Sequence, residues 1–61
     1  MAYYKCRKAA GLTQAFVAQQ LDTTTAAISQ WENGKTKPRI EFLPKLAKLY
    51  GVTVDQLLAE D

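Results

Sequence analysis

The sequence predicts an all-α protein, five short helices around one core. Three observations carry this reading. No stretch alternates apolar and polar residues as a half-buried strand would. Apolar positions recur at helical spacing in five places. Each of those places is bounded by residues that start or stop a helix, namely Gly11, Thr13, Asp22, Gly34, Gly51 and Thr53. The 61 residues are expected to form one domain, 1–61, near the lower size limit for folding without disulfides or metals.

Composition narrows the chemistry. Apolar residues make up 48%, which argues against disorder. The single Cys6 excludes an internal disulfide framework, and the absence of His leaves no Cys/His metal cluster. No cofactor and no small-molecule ligand are expected. With no His, one Cys and no converging carboxylates, nothing forms a nucleophile–base pair, so the chain does not read as an enzyme. No apolar run approaches the roughly 20 residues that span a bilayer, and no signal-peptide pattern opens the chain. A cytoplasmic protein is expected.

The net charge of +2 says little, but its distribution says more. Residues 1–39 hold Lys5, Arg7, Lys8, Lys35, Lys37 and Arg39 against Asp22 and Glu32. Residues 40–61 hold Lys45 and Lys48 against Glu41, Asp55, Glu60 and Asp61. A basic half of this kind suits a phosphate-bearing partner, although scatter on a small protein gives the same count.

The first helix is predicted from Tyr3 to Ala10, closed by Gly11 with positive φ, and its last turn carries Arg7 and Lys8 at the negative end of the helix dipole. One of Tyr3 and Tyr4 is expected to pack inward, the other to stay half exposed. Cys6 reads as a small buried hydrophobe. Thr13 caps the second helix, with Gln14 at its first position. Gln14 is either a phosphate donor at that helix N-terminus or only a tolerated first-turn residue. Asp22 ends the helix in a left-handed conformation, and Thr24 or Thr23 caps the third, which runs to Trp31 or slightly beyond. Asn33-Gly34 closes it.

The stretch 14–33 organises the rest. Val17, Ala18 and Leu21 on one helix, and Ala27, Ile28 and Trp31 on the next, have the spacing of buried stripes. Only four residues, 21–24, separate the two patterns, so the helices must cross steeply, as in a helix-turn-helix. That leaves Thr25, Ala26, Ser29, Gln30 and Asn33 on the outward face of the second, where a merely solvated helix would carry Lys and Glu. The loop 34–39, GKTKPR, is placed to touch a sugar-phosphate backbone, or else serves solubility. Phe42, Leu43, Leu46, Ala47, Leu49 and Tyr50 carry the fourth helix. Pro44 requires that it begin near Glu41, and Gly51 ends it. Thr53 with Gln56 forms a capping box for the last helix, whose buried face is Val54, Leu57 and Leu58.

The stretches GLTQ, VAQQL, ISQWENGKTKP, LAKLYGV and VDQLL resemble the Cro/CI-type, or Xre-like, repressor domain of phages and bacteria, over about residues 3–58. The resemblance implies a lambda-repressor-like fold with a central helix-turn-helix, and a helix of about 24–32 that enters the DNA major groove. Thr24, Thr25, Ala26, Ser29 and Gln30 then align with base-contacting positions, and Gln30 is the best candidate for pairing with adenine. Gln14, Gln19, Asn33, Lys35 and Lys37 align with backbone contacts, and Arg39 joins them. The resemblance also implies a structural ion pair between Arg7 and Glu32. The expected function is sequence-specific binding of a double-stranded DNA operator, as a homodimer, in transcriptional repression.

Four residues depart from the family pattern: Asp22 where Gly is usual, Thr23 where Val is usual, Phe16 at a usually polar position, and Arg39 in place of a small cap. An exposed Phe16 supports an alternative, a protein-interaction module such as an antitoxin or coactivator-like domain that keeps the fold.

Overall fold

The computed structural model describes residues 1–59. Among them run five helices: α1 Tyr3–Ala9, α2 Gln14–Leu21, α3 Thr25–Asn33, α4 Phe42–Tyr50 and α5 Val54–Leu58. Glu60 and Asp61, counted in the acidic half, lie outside the described residues.

Local signals place the helix ends. Thr13, Thr24 and Thr53 each sit in extended backbone and accept a first-turn amide on the hydroxyl, from Phe16, Ala27 and Gln56. Thr24, not Thr23, therefore caps α3. The Gln56 side chain returns the bond to the Thr53 amide at 2.8 Å, completing the capping box. Asp22 takes a left-handed φ of 56°, the one positive φ outside glycine among the described residues. The next amide, on Thr23, then reaches the Ala18 carbonyl at 2.9 Å and closes the helix. Gly34, with φ 77°, does the same for α3 by turning the Lys35 amide onto the Gln30 carbonyl at 3.0 Å. The first helix stops at Ala9, one residue short of expectation, because Ala10 already serves as the cap and Gly11 makes the turn.

Packing follows the stripes. Tyr3, Val17, Ala18, Leu21, Ile28, Trp31, Leu46, Tyr50 and Leu57 form one buried cluster, joined by Cys6, Leu12, Ala27, Phe42, Leu43, Leu49 and Val52 at its edge. Tyr3 is the inward tyrosine and Tyr4 the exposed one. Trp31 belongs to the core and tilts against Phe42, ring centroids 5.4 Å apart. Leu58 departs from expectation. It is exposed and Val54 only half-buried, because α5 has five residues and Leu57 alone takes the single inward position. The chain also closes on itself: the buried Ala2 donates its amide to the Leu57 carbonyl at 3.0 Å.

Candidate nucleic-acid interface

The outward face of α3 is built by what lies beneath it. Ile28 and Trp31 are buried, so the helical repeat leaves Thr25, Ala26, Gln30 and Asn33 in solvent and Ser29 half-buried. Thr24 is also exposed. Its hydroxyl oxygen accepts from Ala27, and its proton stays available to donate. Asn33 donates its side-chain amide to Ser29 Oγ at 3.4 Å, a pairing that the four-residue spacing of the two already suggests. No charged side chain lies on this face, since Glu32, the one charge of α3, turns inward.

Glu32 is the keystone of that orientation. Arg7 Nε donates to its Oε2 at 2.6 Å and Arg7 Nη2 to its Oε1 at 3.1 Å, a two-pronged contact with side chains only 8% and 4% exposed. The third nitrogen of the guanidinium, Nη1, donates to the Leu12 carbonyl at 2.8 Å, and Tyr4 covers the group with its ring centroid 5.3 Å away. The Glu32 hydrogen bond raises the Arg7 pKa, and burial works against it. The carboxylate thus ties α3 to α1, and the Arg7 guanidinium that it holds ties in the turn after α1.

Gln14 joins the same cluster. Its Nε2 donates to Glu32 Oε1 at 3.0 Å, an attachment that no local spacing in the sequence signals. The side chain of this candidate phosphate contact is therefore held from within, with one amide hydrogen still free. The amides of Gln14 and Ala15, in the first turn of α2, have no intrahelical acceptor. Gln19 is exposed on the last turn of α2.

The basic loop folds against the end of α3. The amides of Lys35 and Thr36 both point at the Gln30 carbonyl, at 3.0 and 3.5 Å, and Pro38 is buried as the loop's anchor. This sets Lys35 directly beyond Gln30, with Lys37 exposed after it. Arg39 stands apart, past the buried proline, 3.8 Å from Glu41. Phe16 is 41% exposed on the first helix of the pair. No group of three or more Cys, Asp or Glu side chains suited to a metal occurs among the described residues. No helix there is long and apolar enough to cross a membrane.

A family model described as Helix-turn-helix matches residues 4–57. The chain is 43% identical over 53 residues to the HTH-type transcriptional activator BcrR of Enterococcus faecalis, covering 87% of this chain and 26% of that protein. It is 37% identical over 54 residues to the SPbeta prophage-derived uncharacterized HTH-type transcriptional regulator YonR of Bacillus subtilis (strain 168), covering 88% of this chain and 50% of that protein. The chain therefore spans half or less of the length of these curated relatives. No solved structure gives a significant match. With five helices, capped turns between them and this match across most of its length, the chain belongs to the helix-turn-helix family of DNA-binding regulators, of the Xre or Cro/CI-like type.

Proposed function

We propose that this chain reads a specific double-stranded DNA operator as a two-fold pair, with α3 in the major groove, and so regulates transcription in the cytoplasm. The observation that carries the reading is the uncharged, exposed face of α3 on a helix fixed by a buried ion pair. Gln30 offers an amide that pairs bidentately with adenine, Thr25 and Ala26 offer methyl contacts to thymine, and Thr24 and Ser29 offer hydroxyls. Lys35, Lys37, Asn33, Gln19 and the Gln14 end of α2 hold the phosphates on either side, with Arg39 at the margin. The single domain, 1–61, supplies one such reading head, and two copies on half-sites one helical turn apart supply the operator.

Selection of duplexes from a random library, followed by band-shift titration, tests this. The expected result is a selected duplex bound at least about a thousandfold more tightly than bulk DNA, the low end of specific recognition. A ratio below about ten would refute it. The direction of regulation is repression by the resemblance, whereas one relative is named an activator. A reporter with the selected site placed over or upstream of a promoter decides between them. A second reading, docking to a protein through Phe16, draws on its 41% exposure. It requires that Phe16→Glu abolish function while Gln30→Ala leaves it intact.

A further inference from the structure

Between α2 and α4 lies a groove of about 460 Å³ that the reading of DNA leaves unused. Buried Leu21 and half-buried Leu49 line it with apolar surface. Gln20, Lys45 and Lys48 line it as exposed residues. Phe16, 41% exposed, stands four residues before Gln20 and continues the same ridge of α2 by one turn. The volume is within the range of sites that hold a ligand.

The groove carries one sign of charge. No Asp or Glu lines it, and neither lysine has an ion-pair partner among the described residues. Lys48 suits the negative end of α4, but Lys45, just past the first turn, gains nothing from the helix dipole. Three residues apart, the two lysines share one face of α4, and Leu49 lies four residues after Lys45 on the same side.

We propose that this groove docks an acidic amphipathic helix of another protein, with the aliphatic stripe of that helix on Leu21, Leu49 and Phe16 and two of its carboxylates on Lys45 and Lys48. The spacing of charge selects that occupant. Carboxylates three or four residues apart on a helix stand at the separation of the two lysines. An amphipathic helix laid into an apolar groove is a recurrent mode of recognition. An anionic amphiphile with a single head satisfies one lysine and leaves the other unpaired. A phosphate backbone satisfies both but leaves the apolar surface uncovered. None of these residues belongs to α3 or to the loop 34–39, so docking neither requires DNA binding nor replaces it. Phe16 gains a partner while α3 keeps its own.

A synthetic peptide of about 16 residues, long enough to hold a helix, with Leu on one stripe and Glu on either side, is titrated into the protein and followed by amide NMR. Saturating shifts at residues 20, 21, 45, 48 and 49 are expected below about 1 mM. Lys45→Glu with Lys48→Glu should weaken binding at least about tenfold, the combined weight of two reversed surface pairs. The same variant should take up a peptide with Lys in place of Glu, which also shows that it is folded. Phe16→Ala should weaken the complex, and a peptide with Ala in place of Leu should not bind. Absence of saturating shifts, shifts centred on residues 34–39, or equal binding of the Lys or Ala peptide to the natural chain would each overturn the proposal. So would shifts at the same residues on concentrating the protein without peptide, which would assign the groove to a second copy. On the selected duplex, Lys45→Gln with Lys48→Gln should bind as the natural chain does. A salt slope lower by about two would give both lysines to phosphates and overturn the docking. Lack of any selected duplex removes the DNA reading alone, and the peptide titration still decides this one.

Discussion

Replacing Glu32 with Ala removes the acceptor that orients α3, and its cost follows from the geometry. Two donors of Arg7 and one of Gln14 end on this carboxylate, and the Arg7 side chain is only 8% exposed. Stranding a buried guanidinium costs about 3–5 kcal/mol. A domain of 61 residues holds roughly 3–9 kcal/mol in all, at 0.05–0.15 kcal/mol per residue. Glu32→Ala should therefore consume from about a third of the stability to all of it. Urea denaturation read by Trp31 fluorescence measures this, and an unchanged slope marks a change in stability rather than in the unfolded state. The partner experiment replaces both groups, as Arg7→Met with Glu32→Leu. It should recover at least about 2 kcal/mol relative to Glu32→Ala, because no charge is left unpaired. A loss below about 1 kcal/mol for Glu32→Ala would refute the reasoning, since that is the value of a solvent-screened surface pair.

On selected duplex DNA, Gln30→Ala should cost about 1–3 kcal/mol of binding and relax preference at one base position, read by band-shift against single-base variants. Lys37→Ala should weaken all sequences alike and lower the salt slope by about one; a changed base preference would sink that assignment. Burial first, and the Glu32 carboxylate second, push the Tyr50 phenol up to about 12 from 10.0. The folded state thus keeps a proton that the unfolded state gives up. The resulting stability is complete below pH 10 and fades between pH 10 and 12. Tyr50→Phe should make unfolding less pH-sensitive in that window by about 2–3 kcal/mol, from denaturant midpoints at each pH. Buried Tyr3, raised in the same direction, leaves some dependence behind. Asp22→Gly relieves a left-handed side chain at the expense of unfolded-chain entropy, so the thermal midpoint should rise by the equivalent of about 0.5 kcal/mol. A lower midpoint would show that the Asp22 side chain contributes to the turn.

Much of the fold is legible because its signals are local. Thr13, Asp22, Gly34, Gly51 and the pair Thr53 and Gln56 act on backbone within a few residues, so their conformations follow from residue type. The stripes of α2 and α3 fix which residues face in, and by subtraction which face out. What local pattern does not encode is which polar groups meet between helices. Gln14 and Glu32 are 18 residues apart, and nothing in either segment marks their contact. Periodicity overcounted the buried face of α5, because a helix barely longer than one turn presents a single residue inward. The outward residues of α3 are legible as a set, because they are what the buried pair Ile28 and Trp31 leaves over on a helix of nine residues.

The bond from the Ala2 amide to the Leu57 carbonyl joins the second residue to the last helix. Chain ends ordinarily open and close on their own, well below the free energy of global unfolding. Here release of the first strand of backbone exposes the Tyr3 and Leu57 packing beneath it, so the end is clasped to the interior. Hydrogen exchange at Ala2 should accordingly be slow and should track denaturant as the core amides do. A change that lifts the clasp should loosen α1 and, through the Arg7–Glu32 contact, α3 as well.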